Sequence, residues 1–160
     1  MQRRARRYPN VLPSFVFTKT PLGFTWEPGP GLQAVEPRFS GFPYLLVAEG
    51  VDPYIISPRL KFPALWATHV ELAMRVPKRY YLSPGEDQGC IMWESKRYPG
   101  FASERRVCFP VHADGKVHNY EVALENNIHW ARAGLITRLR LDPVAYPATI
   151  ELYWLEFKVL

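Results

Sequence analysis

The sequence has 160 residues, of which 48% are hydrophobic, 22% charged and 14% aromatic, so it can bury a core and is not a disordered chain. The net charge is +5, but four arginines (Arg3, Arg4, Arg6, Arg7) fall in the first ten residues with no acid, and removing them leaves 16 basic against 15 acidic groups. That near-neutral body argues against nucleic-acid binding, which wants a basic face on the folded domain, and 16 prolines and 10 glycines spread along the chain argue against a helical bundle.

The expected organisation is an Arg-rich arm over 1–13 followed by one β-sandwich domain over 14–160. A signal peptide needs a 7–15-residue apolar stretch, whereas Pro9, Pro13 and Ser14 interrupt the apolar residues here. No run approaches the ~20 apolar residues of a membrane helix. A cytoplasmic chain is therefore expected, and an arginine arm suits a peripheral position on the anionic, cytoplasmic face of a membrane.

In chain order, 14–18 reads as a short strand, and 19–43 as a long Pro/Gly loop with at most one strand near 32–35. Residues 44–48 form an apolar strand, and 52–58 a strand fenced by Pro53 and Pro58, as at an edge or corner. Over 68–76 the residues Val70, Leu72, Met74 and Val76 recur with a period of two, predicting a half-buried strand. Residues 88–94 and 105–111 pair as a hairpin about Pro99-Gly100, with Cys90 opposite Cys108 and Trp93 opposite Arg105. A strand over 117–124 turns Tyr120, Val122 and Leu124 inward, a helical turn surrounds Trp130, and strands 135–142 and 149–159 close the chain. About nine short strands with frequent turns give an all-β, two-sheet antiparallel jelly-roll sandwich with short helical turns at most. Leu139, Leu141, Tyr120 and Val122 are expected in its core.

Two cysteines are too few for a disulfide scaffold, and their spacing fits no metal motif. Facing each other across strands they are able to bridge, but a reducing compartment keeps thiols apart, and two buried, reduced thiols are expected. There is no Gly-rich phosphate loop, Gly-x-Ser-x-Gly, His-Glu-x-x-His or Cys-x-x-Cys, so no enzyme signature is present. The four histidines lie in different elements, although His112 and His118 flank the Asp114-Gly115 turn and are able to approach each other.

Asp52-Pro-Tyr-Ile-Ile-Ser-Pro58, Cys90-Ile-Met-Trp-Glu94, Gly100-Phe101, Val107-Cys-Phe-Pro-Val111, Asp114-Gly115, His118-Asn-Tyr120, Trp130, Ile136-Thr-Arg-Leu-Arg-Leu-Asp-Pro143 and Ile150-Glu-Leu-Tyr-Trp-Leu155 follow in order. Over roughly 24–157 this resembles the carbohydrate-binding-module-like β-sandwich of the galactose-binding-domain type, a jelly roll. The resemblance implies binding rather than catalysis, and a structural calcium between the first loop and the last strand. Tyr153 stands where such modules often carry an acid, which leaves Glu27, Asp52 and Glu156 as candidate oxygen ligands, with no other cofactor implied.

Two functions remain open. The first is a non-catalytic accessory subunit docking within a larger, membrane-associated protein assembly through Arg3, Arg4, Arg6, Arg7, Arg97, Tyr98 and Phe101. The second is glycan binding, with Trp93, Tyr98 and Trp130 as stacking faces for sugar rings.

Overall fold

The computed structural model describes residues 12–18, 26–35, 37, 39–80 and 87–160. Two six-stranded antiparallel sheets face each other. The first runs β10 (Val117–Ala123), β7 (His69–Arg75), β12 (Thr149–Lys158), β4 (Tyr44–Ala48) and β3 (Leu32–Val35), with β1 (Ser14–Val16) also paired to β12. The second runs β2 (Glu27–Pro28), β5 (Ile55–Ile56), β11 (Leu135–Asp142), β8 (Gln88–Ser95) and β9 (Arg106–Pro110), with β6 (Phe62–Pro63) paired to β11. The α-helical part of the described residues is one short element, α1 (Ile128–Ala131), whose Asn127 side chain caps it by accepting from the His129 N–H. No helix among the described residues is long and apolar enough to cross a membrane.

The period-two pattern decides which faces meet. Val70, Leu72 and Met74 of β7, Tyr120 and Val122 of β10, and Leu139 and Leu141 of β11 all point into the buried core. The β8–β9 hairpin has the expected register, with Cys90 opposite Cys108 and Met92 opposite Arg106. Only Gly tolerates the positive φ of 83° at Gly100 in its loop without strain.

Several expectations need correction. The 19–43 segment holds two strands, since β2 precedes β3. The strand expected over 52–58 shrinks to β5 and is not an edge, because β2 lies outside it. Pro53 and Pro58 lack the N–H groups that would extend the ladder, yet the Ser57 N–H still donates to Leu139 O at 2.8 Å. Cys90 and Cys108 are neither reduced nor fully buried: they form a disulfide with Cα atoms 4.0 Å apart, on the outward side of the second sheet. The inward positions of that ladder belong to Ile91, Trp93 and Phe109, so period two sends both sulfurs outward. The arm arginines Arg3, Arg4, Arg6 and Arg7 lie outside the described residues.

Candidate functional site

Strand β12 carries the feature that shapes the outer face of the first sheet. Ile150 and Leu152 are buried, but the next buried positions are Leu155 and Phe157, one residue out of phase. The ladder to β7 slips between Leu152 and Trp154, a β-bulge at Tyr153. A bulge inserts one residue and re-aims its neighbours, so two consecutive aromatics, Tyr153 and Trp154, are left half-buried outside the core.

Trp154 lies level with Ala73 and Asn119 on one side and with Val16 on the other. Ala73 points outward with Trp154 yet is only 2% exposed, as expected of a methyl between two larger neighbours. The next row along the strands is Ser14, Glu156, Glu71 and Glu121, and the Lys158 ammonium bridges Glu71 and Glu156. On the other side of the tryptophan, the Tyr153 hydroxyl donates to Glu151 Oε2 at 3.0 Å, and Arg75 Nη1 lies 3.5 Å from Glu151 Oε1. Burial, and then the bond to Glu151, push the Tyr153 phenol above its ordinary range. Glu151 also borders a groove of about 530 Å³ whose other walls are Val35, Pro37, Phe39, Phe42, Pro43 and Leu45. Phe39 and Phe42 are 68% and 59% exposed. The face thus combines aromatic rings with carboxylates and an amide, the donor and acceptor set that reads a polyol.

The candidates expected from sequence are distributed differently. Trp93 and Trp130 are both in the core, packed edge to face with centroids 5.2 Å apart, and neither offers a ring face to a sugar. Arg105 is opposite Trp93 as expected, its carbonyl accepting from the Trp93 N–H at 3.4 Å, and its guanidinium sits 5.7 Å from the Tyr98 centroid. Tyr98 is 41% exposed, Arg97 is exposed, and Phe101 is half-buried with the Arg138 guanidinium 5.7 Å from its centroid. Glu27, Asp52 and Glu156 are not assembled: Glu156 belongs to the first sheet with Lys158, Asp52 approaches Arg140, and Glu27 sits on β2. No cluster of three His, Cys, Asp or Glu side chains able to hold a metal occurs among the described residues. Arg140 and Asp142 pair within β11 at 2.7 Å, with Tyr54 against the guanidinium.

The loop that presents Tyr98 is built on two buried polar residues. Ser95 Oγ accepts from the Tyr98 N–H at 3.0 Å, and Glu94 Oε2 accepts from the Gly100 N–H at 2.8 Å, while Arg138 holds the other Glu94 oxygen. The Arg138 hydrogen bond, more than the Gly100 N–H, keeps the Glu94 carboxyl below the usual carboxylate range against the opposing effect of burial. Because the folded value is depressed, this contribution is fully present above the unfolded value near ~4.3 and is lost as pH falls through the folded one. Urea titrations between pH 6 and 3 should therefore show an acid loss of stability that Glu94→Gln reduces. An unchanged slope would refute the assignment.

No protein-family model matches the sequence, and no curated protein matches it. Solved structures do share its fold. The family 11 carbohydrate-binding module of a cellulosomal cellulase of Clostridium thermocellum is similar at 8% identity over 94% of this chain and 96% of that one, with a TM-score of 0.55. A low-affinity xylan-binding module from Roseburia intestinalis matches at 8% identity over 94% and 96%, with a TM-score of 0.53. An adhesin domain of Lys-gingipain from Porphyromonas gingivalis matches at 14% identity over 94% and 99%, again with a TM-score of 0.53. At such identities the likeness is one of fold, and the chain folds as a carbohydrate-binding-module-like β-sandwich.

Proposed function

We propose that the protein binds a neutral polysaccharide on the outer face of the first sheet, along Trp154, Tyr153 and the adjoining groove. The observation that carries this reading is the bulge in β12, which leaves two adjacent aromatic side chains outside the core on an otherwise regular sheet. The apolar face of a sugar ring stacks on such rings, while flanking polar groups bond its hydroxyls. Glu71, Glu121, Glu151 and Glu156 outnumber Arg75 and Lys158 on this face. Carboxylates accept from hydroxyls but repel an acidic chain, which favours an uncharged ligand. The fold shared with a xylan-binding module and with a carbohydrate-binding module of a cellulase supports the reading without deciding it.

The test is calorimetric titration with cello-, xylo- and mixed-linked oligosaccharides. Trp154→Ala should weaken binding by about tenfold, ~1.4 kcal/mol, while circular dichroism remains that of the native fold. Equal affinity in the variant would refute the site. A second reading, the accessory subunit of a protein assembly, rests on the exposure of Phe39 and Phe42 within the Pro/Gly segment. Capture of a stoichiometric partner from native extract, lost in Phe39→Ala/Phe42→Ala and accompanied by no sugar binding, would favour it instead.

A further inference from the structure

A second concavity, sharing no residue with the sheet face, lies where the β8–β9 loop meets α1. It has a volume of about 250 Å³ and is lined by Tyr98, Glu104, Arg105, His129 and Arg132. The two loops are tied together, since Asn127 Nδ2 donates to Glu104 O at 2.9 Å and to Arg106 O at 2.8 Å. Its chemistry is opposite to that of the first sheet. Arg105 is 12% exposed at its side chain, is held by a bond from Nη2 to Gly100 O at 2.9 Å, and has Glu104 3.5 Å from Nη1. Its buried Nε donates to nothing among the described residues. Arg132 and the His129 ring have no ion pair or side-chain hydrogen bond among the described residues, and the two guanidinium groups of Arg105 and Arg132 face the single carboxylate of Glu104. Beside them stands the half-exposed Tyr98 ring, flanked by the Arg105 guanidinium, on a backbone whose N–H donates to Ser95 Oγ.

We propose that this concavity is a second binding site, specific for a sugar unit that bears a carboxylate, such as a hexuronate. Tyr98 supplies the stacking face, Arg132 the planar fork that matches a carboxylate through two parallel hydrogen bonds, and Glu104 an acceptor for a ring hydroxyl. Arg105 sets the positive potential and, through Gly100, the position of the loop. The volume is below the ~300–1,000 Å³ of pockets for drug-sized ligands, which suits one sugar unit at a chain end rather than a long segment.

The experiment titrates the full chain with trigalacturonate, with its neutral methyl ester, and with a sulfated galactan trisaccharide. Trigalacturonate should bind, its methyl ester should bind about tenfold more weakly or not at all, and affinity should fall with added salt. Arg132→Gln and Tyr98→Ala should each cost about tenfold for trigalacturonate, while Trp154→Ala leaves that affinity unchanged. Should Tyr98→Ala fail to fold, Arg132→Gln decides, because its position is exposed. The assignment is overturned if trigalacturonate does not bind, if the ester binds equally, if Arg132→Gln is without effect, or if Trp154→Ala abolishes uronate binding. Tighter binding of the sulfated sugar would overturn the carboxylate specificity. Failure of neutral oligosaccharides to bind the sheet face leaves every one of these outcomes readable.

Discussion

Replacing Trp93 by alanine should cost ~3–5 kcal/mol of folding stability, the range for emptying the space of a buried aromatic. Trp93 is 0% exposed at the centre of β8, opposite Leu139, and meets Trp130 edge to face. Trp130 in turn donates its Nε1–H to Ala67 O at 2.8 Å and stacks on Phe157 with centroids 6.3 Å apart. Phe157 belongs to the first sheet, and Phe62 of the second lies 4.8 Å from it between centroids. These rings therefore bind both sheets and α1 into one unit, and the cavity left by the indole would open in the middle of it. At roughly 2–4 °C per kcal/mol for a chain of this size, the melting temperature should drop by about 6–20 °C. Urea denaturation measures the loss directly, and a value below about 1 kcal/mol would mean that the indole is not part of the core. Where the variant remains folded at low temperature, it should bind the same oligosaccharides as the parent, since Trp93 touches no outer surface.

Much of this arrangement was legible in residue spacing, and the remainder was hidden for identifiable reasons. Val70, Leu72 and Met74 announce β7 because a half-buried strand must alternate, and the two-cysteine hairpin sets its own register around the Pro99-Gly100 turn. Two-residue strands such as β2 and β6 leave no period to detect, and each contains a proline, so turn composition masks them. Trp93 and Trp130 look like ligand residues only while their direction is unknown. Trp93 shares its parity with Ile91 and Ser95, but Met92 and Glu94 on the other parity are buried as well, so β8 shows no alternation that would give its direction. For Trp154 a signal was present. Apolar residues at 150, 152, 155 and 157 are spaced two, three and two apart, and the irregular step marks a bulge that sends Tyr153 and Trp154 out of the core. The grouping of Tyr98, Arg105, His129 and Arg132 had no such signal, because it depends on how two loops far apart in sequence meet across Asn127.

Reducing the Cys90–Cys108 bond should cost about 3 kcal/mol, by the chain-entropy estimate for a closed loop of roughly this length. The two residues are 18 apart in sequence, and the cross-link limits the unfolded chain more than it alters the folded one. β9 is an edge strand of the second sheet, with β8 as its ladder partner, so the bond clamps a strand that is paired on one side. Loss of the bond should therefore act locally as well as globally. Thermal unfolding of the Cys90→Ser/Cys108→Ser variant should fall by roughly 6–12 °C. Amide exchange should accelerate first at the N–H groups of Arg106, Val107, Cys108 and Phe109 (in the double variant, the residue at 108), while Val70–Met74 in the interior of the first sheet stays protected. Serine at these outward positions meets water rather than the core, so the double substitution adds little cost of its own. A melting temperature that is the same with and without reductant would show that the ladder alone holds β9. The bond would then contribute nothing to stability, and its place on the outer face would need another explanation.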